Sequence, residues 1–289
     1  PALIVSLAFC FGTAAYSTAS RGLWQHAPSM FLLTLVLLLL DAARAKPYLA
    51  PWAALPLAFA FVVRPTQALP IAVFALYVWW RHRPWFWRFT INGLLVGVLF
   101  VLFNLHTYGC VLPNYYRPLR LSNTTHFAEA LAANLVSPAR GLLVYSPFLL
   151  FAVVGFVRRA HDRSAQPLEW CAATVVVLHL LVVSSFPVWW AGTAYGARFF
   201  ADVIPLTIYL LLPVVPGILD RSGRPRLDGP RVAVRSMLFV VLTMFSVFAN
   251  TQGAVSRAAN DWNSYPENVN RHPERIWDWR DPPFLRGFW

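Results

Sequence analysis

Charged residues leave this chain in long stretches. The runs 94–105, 168–183, 199–215 and 232–248 are nearly free of charge. Apolar windows of about 20 residues match a hydrocarbon core about 30 Å thick. In lipid, only helices and closed barrels satisfy their own backbone amides. The period-two alternation of a barrel strand is missing here, so the segments predict helices. Nine hydrophobic segments are expected, at about 1–17, 28–41, 48–63, 66–80, 89–106, 142–157, 168–186, 199–218 and 232–250. The fold class expected is an all-α integral membrane protein. It is a polytopic helical bundle of about nine hydrophobic segments with extracytoplasmic loops and tail. Residues 1–250 form the bundle, and 251–289 form a tail docked on its outer rim. Two segments are short: fifteen residues at 1.5 Å each reach about 22 Å, less than a bilayer. They predict a hairpin whose tip is Arg64-Pro65-Thr66, with Pro65 holding the preceding residue out of the helical region. Pro51, Pro56, Pro70, Pro205 and Pro213 are expected to start or kink helices.

Composition supports this reading. Hydrophobic residues make up 58% of the 289 and charged residues 12%, about half the charge of a typical soluble domain. The net charge of +12 suggests nucleic acid in a soluble protein. Here the basic residues punctuate apolar segments, so no nucleic-acid partner is expected. Arg44 and Lys46, then Arg81, Arg83 and Arg88, then Arg158, Arg159 and Arg163, then Arg221 through Arg235 fall on one side if every segment crosses. The positive-inside rule makes that side cytoplasmic. The chain is then a multi-pass protein of an inner (plasma) membrane with its C-terminus extracytoplasmic. It opens in an apolar stretch without Met, which reads as a fragment of a longer protein and not as a signal peptide. Three scattered cysteines and seven scattered histidines show neither a disulfide framework nor metal spacing, so no metal or cofactor is expected.

The opposite, outer side carries eleven arginines: Arg21, Arg64, Arg117, Arg120, Arg140, Arg198, Arg257, Arg271, Arg275, Arg280 and Arg286. Orientation bias does not place arginine there. A guanidinium grips phosphate through two parallel hydrogen bonds. Arg64, Arg140 and Arg198 sit where a helix meets an outer loop, so they are the candidate phosphate-binding set. The competing reading is pairing with nearby carboxylates. The stretch from Trp189 to Arg198 is the most specific local signal. Trp190 and Tyr195 present faces on which a sugar or isoprenoid can stack. Asp202 stands four residues after Arg198, at pairing distance on a helix, or else orients an acceptor hydroxyl. In the tail, Trp277 and Asp278 combine a ring with a carboxylate, as sugar-contact surfaces do; the plainer reading is tryptophans packing on the outer rim. Asn123-Thr124-Thr125 has the form of a glycosylation sequon and is read as incidental.

The order of short hairpin, long outer loop and Trp-Trp-x-Gly-x-x-x-Gly-x-Arg resembles the polytopic glycosyltransferases of C-type fold that use polyprenyl-phosphate sugars. Among these are the protein O-mannosyltransferases, the lipid A aminoarabinose transferases and the bacterial membrane proteins of glycosyltransferase family 39. The resemblance runs through Gly12-Thr13, Arg64-Pro65-Thr66, Ser137-Pro138-x-Arg140-Gly141, Trp190 to Arg198 and Trp277-Asp278-Trp279. It implies transfer of a sugar from a polyprenyl-phosphate-linked donor to a glycan, lipid or protein acceptor at the extracytoplasmic face of the bilayer. Cationic groups would stabilise the departing phosphate. The resemblance puts the acidic residue that deprotonates the acceptor in a loop upstream of residue 1, so the catalytic base is unassigned. Two other readings stand beside it. A polymerase or ligase of lipid-linked glycans shares the arginine-rich face. A transporter or flippase predicts polar residues at the midplane and internal repeats, for which His179 and Ser184-Ser185 are the weak candidates.

Overall fold

A computed structural model describes residues 1–22, 24–117 and 125–288 of the chain. Arg120 and the Asn123-Thr124 of the sequon lie outside the described residues. Among the described residues the regular structure is all helical, α or 3-10, joined by turns and irregular loops, with one isolated bridge between Leu219 and Pro225.

Helices α1 (Ala2–Phe11) and α2 (Ala14–Ser17) meet at a bend of 42°, counted with the turn that runs on to Arg21. The bend falls at Gly12-Thr13. Thr13 caps α2, its Oγ1 accepting from the Ala15 amide while donating to the Phe9 carbonyl, as an N-cap hydroxyl does. Helix α3 (His26–Ala42) follows, then a 3-10 segment Pro47–Ala53 leading into α4 (Ala54–Val63), and α5 (Ala68–Arg81). Arg64 is extended, with φ −147° and ψ 130°, the region a residue before proline prefers. The hairpin tip is therefore the short 3-10 turn Pro65–Gln67.

The rest comprises α6 (Phe86–Tyr108), α7 (Phe127–Val136), α8 (Leu142–Tyr145), α9 (Leu150–His161), α10 (Pro167–Ser184), α11 (Ile204–Leu211), α12 (Pro230–Val255) and α13 (Arg257–Asp261). Helix α3 packs on α4 and α11, α10 on α5 and α11, and α12 on α1 and α2. Leu33, Val36 and Leu40 of α3 meet Leu57, Val175, Ile204 and Leu211 in one buried core.

Among the described residues three helices are long and apolar enough to cross a membrane, Arg83–Tyr108, Pro167–Ser184 and Pro230–Val255; the bent pair Ala2–Phe11 and Ala14–Arg21 makes a fourth if it is one span. This is fewer than the nine hydrophobic segments expected from the sequence. Helices α3, α4 and α5 are short, at 17, 10 and 14 residues, and two further segments are broken at prolines. Segment 142–157 breaks at Pro147 into α8, a 3-10 turn and α9. Segment 199–218 breaks into a 3-10 turn Arg198–Val203, α11 and a second turn Val215–Gly217. Each proline removes a backbone donor and blocks the preceding turn. Helix α6 is the reverse case. It is unbroken, and Leu94, Leu95, Val98, Leu99, Leu102 and Phe103 are all exposed. So continuous an apolar face suits lipid, not water.

Two of the basic loops meet. Arg44, Arg81, His82 and Gln166, from three different connections, line one cavity at the end of the molecule where α3 and α5 finish and α10 starts. At the opposite end stand the start of α3, the tip of the α4–α5 hairpin and the end of α10.

The connection 106–141 carries the helix α7. Ala130, Ala133 and Asn134 bury one face of it. The tail, 256–288, winds irregularly through α13 and two short 3-10 turns. It is held by a second buried cluster of Ala130, Ala133, Ala139, Trp189, Trp262, Val269 and Ile276. Trp262, Val269 and Ile276 of the tail thus pack against α7 and Trp189.

Candidate functional site

At this second end, three parts of the chain meet around a buried carboxylate. Asp202 is fully buried, in the turn Arg198–Val203. His26 opens α3, and its Nδ1 stands 3.0 Å from Asp202 Oδ1. The carboxylate can only accept, so the ring proton sits on Nδ1 and Nε2 is left as acceptor. Arg64 Nε lies 2.9 Å from Asp202 Oδ2. That contact is an ion pair without hydrogen-bond alignment, and both atoms are buried with no hydrogen bond of their own. Arg64 Nη1 lies 3.1 Å from each imidazole nitrogen. Arg198 Nε donates to His26 Nε2 at 3.3 Å, and its guanidinium lies over the Trp24 ring, 3.8 Å from the centroid. Guanidinium groups stack readily on such faces.

Arg198 and Asp202 are thus not the pair expected from their spacing. The turn between them is 3-10, where residues three apart share a face, so a four-residue spacing does not align them. Asp202 instead turns inward to Arg64.

Trp24, Gln25, His26, Arg64 and Arg198 line a hollow of about 270 Å³. Arg64, Arg198 and Gln25 also border a larger groove of about 740 Å³ walled by Phe61, Leu69, Tyr116, Val182, Phe186 and Phe199. The aromatic wall is fixed from behind. Tyr116 donates its hydroxyl to the Val62 carbonyl at 2.6 Å, and Tyr115 donates to Gln25 Oε1 at 2.7 Å. Thr66 borders the groove and its Oγ1 is buried without a hydrogen-bond partner.

Charge at the hollow does not balance. Two guanidiniums face one carboxylate, and among the described residues Arg198 makes no ion pair with any acid. Burial, then the neighbouring Arg64, pull Arg198 down to about 10, still charged at neutral pH. A partly buried cation without a counter-charge is costly, and an anion in the hollow relieves it.

Of the expected phosphate-binding arginines, Arg64 and Arg198 come together here and Arg140 does not. Arg140 is almost wholly buried, with its donors occupied. Nε donates to the Trp190 carbonyl at 2.7 Å and Nη1 to the Ala139 carbonyl at 2.9 Å. Nη2 donates to the Gly192 carbonyl at 3.0 Å and to Asn263 Oδ1 at 2.7 Å. Desolvation brings it down to about 10. Its work is to bind the 189–192 loop and the tail together, so it is withdrawn from the phosphate-binding set.

The expected stacking residues are also elsewhere. The Tyr195 ring is buried edge-on to Tyr145, with its hydroxyl donating to the Ala249 carbonyl at 2.7 Å. Trp190 donates Nε1–H to Asn270 Oδ1 at 2.9 Å, and Trp277 packs on the tail cluster. Asp278 is exposed and caps its own turn, accepting from the Arg280 amide at 2.9 Å. Neither cavity is lined by any of these four. The plainer readings, packing for the rings and local capping for Asp278, describe them. His26 and Gln25 went unnoticed in the sequence. His26 lies 176 residues from Asp202, and a lone histidine before an apolar run carries no local signal.

No protein-family model, no curated protein and no solved structure matches this chain.

Proposed function

We propose that the chain is a membrane glycosyltransferase whose hollow holds the phosphate of a polyprenyl-phosphate sugar at the extracytoplasmic face. The observation that carries this reading is the uncompensated Arg198 beside Arg64, in a hollow that continues into an apolar groove. Such a site wants a ligand with an anionic group at one end and hydrocarbon behind it. A lipid phosphate meets both demands. The cationic loops at the opposite end then face the cytoplasm, and the tail lies outside.

In the proposed reaction the oxygen of an acceptor hydroxyl bonds to the anomeric carbon, and its proton ends on the released phosphate monoester. The bond from that carbon to the phosphate oxygen breaks, and its electron pair stays on the phosphate. Negative charge therefore grows on the oxygen nearest Arg198 and Arg64, where fixed donors act most strongly. Asp202 is enclosed behind Arg64 and His26. It positions those groups and does not reach an acceptor hydroxyl. The test is sugar transfer from a polyprenyl-phosphate donor in proteoliposomes. Arg198→Ala should lower the rate about hundredfold or more, in line with loss of one charge-stabilising donor, and Arg198→Lys should recover part of it. Undiminished transfer by Arg198→Ala would falsify the assignment.

A further inference from the structure

The other end of the molecule holds a second basic hollow, unconnected to the first. It measures about 560 Å³ and is lined by Arg44, Tyr77, Arg81, His82, Trp85 and Gln166 among others. Its charges can be counted. Arg44 is paired with Asp41 at 3.0 Å, and Tyr209 donates to the same carboxylate oxygen at 3.0 Å. Arg81 makes no ion pair among the described residues; its guanidinium lies 5.6 Å from the Trp80 ring centroid. His82 is more than nine-tenths buried, and its Nε2 has no hydrogen-bond partner. An orphaned buried polar atom is uncommon and asks for a ligand. Burial, then the Arg81 cation, hold His82 below its ordinary range, so a neutral ring can donate from Nε2 without adding charge.

The surroundings indicate where such a ligand comes from. Tyr48, Trp52, Trp79, Trp80 and Trp87 are all about half exposed or more, and they flank the residues of this hollow in the chain. Exposed tryptophan and tyrosine beside arginine mark a membrane–water interface. Basic pockets between helices at that level suit phospholipid head groups.

We propose that this hollow is a phosphate-binding site for the head group of an anionic phospholipid, with Arg81 and His82 as its donors and Arg44 at its edge. The inference does not rest on the transferase reading, since it uses no residue of the first hollow.

Native mass spectrometry of the full chain in detergent tests it, with dioleoyl-phosphatidylglycerol, dioleoyl-phosphatidylcholine and inorganic phosphate as separate probes. Wild type should retain phosphatidylglycerol over phosphatidylcholine. Arg81→Gln should weaken that retention about tenfold, the loss of one charge-assisted contact, and His82→Leu should weaken it without changing net charge. Arg257→Gln, at the far end and almost fully exposed, should not. Unfolded protein is excluded by requiring each variant to melt within the range of that control. Retention of inorganic phosphate in place of lipid, lost in Arg81→Gln, would keep the phosphate site and assign it to a soluble ester. Equal retention of both lipids, or of phosphatidylglycerol by wild type and Arg81→Gln alike, overturns the proposal.

Discussion

Four arginines in this chain do four different things, and burial with partners distinguishes them. Arg140 is enclosed and its hydrogen bonds go to carbonyls and an amide. Arg64 is enclosed beside a carboxylate. Arg198 is charged, partly open and, among the described residues, without an acid partner. Arg81, at the far end, lies over Trp80 and pairs with no acid among the described residues. Arg140→Ala should therefore act through stability. It strands buried carbonyls and the Asn263 amide oxygen, each costing about 1–3 kcal/mol. The expected outcome is a large fall in melting temperature in detergent, with phosphate affinity per folded molecule unchanged. Arg198→Ala should show the opposite pattern. Isothermal titration with a polyprenyl phosphate beside thermal melts separates the two, and a selective loss of affinity in Arg140→Ala would return that residue to the binding set.

At the scale of elements, close approach sets the limits. Helix α12 passes Tyr195 at Gly253, where an added Cβ would stand 2.2 Å from the ring and 2.9 Å from Ser17 Cβ. The ring is held by its hydroxyl on Ala249, so it cannot swing aside freely. Gly253→Ala should cost about 1–3 kcal/mol by overpacking. Gly97 in α6 has nothing within 4 Å of the same added atom, and Gly97→Ala should be neutral or gain up to about 1 kcal/mol through backbone entropy. Thermal or denaturant melts of the two variants in one detergent check the contrast. Equal effects would mean that α12 does not press on the Tyr195 loop as described.

For the molecule as a whole, the question is which end lies on which side. Helix α12 has 26 residues, about 39 Å at 1.5 Å per residue, enough to cross a bilayer. Ser222 stands exposed before it and Ser264 exposed after it. In a background with Cys10, Cys110 and Cys171 replaced, Ser264→Cys should react with a membrane-impermeant maleimide in intact cells. Ser222→Cys should react only after permeabilisation. Labelling of both positions from outside would remove the crossing, and with it the placement of the first hollow at an outer face.

Much of this organisation was legible in the chain. The charge-free runs dictate helices, because apolar residues at that density leave lipid or core as their only surroundings. The tip at Arg64-Pro65-Thr66 follows from the local sterics of proline, and the grouping of the basic loops follows from their alternation with apolar segments. What the linear pattern could not decide is which polar groups meet. Local spacing offered Arg198 to Asp202, yet a 3-10 turn and a residue 176 positions away settle the partnership differently. Arg140 and Tyr195 read as site residues by position and become packing residues by burial. Hydropathy counts apolar length and is blind to where a proline ends a helix, so segments counted as spans fold as shorter pieces. Helical character comes from forces within a few residues of the chain; a charged hollow exists only once distant segments have been brought together.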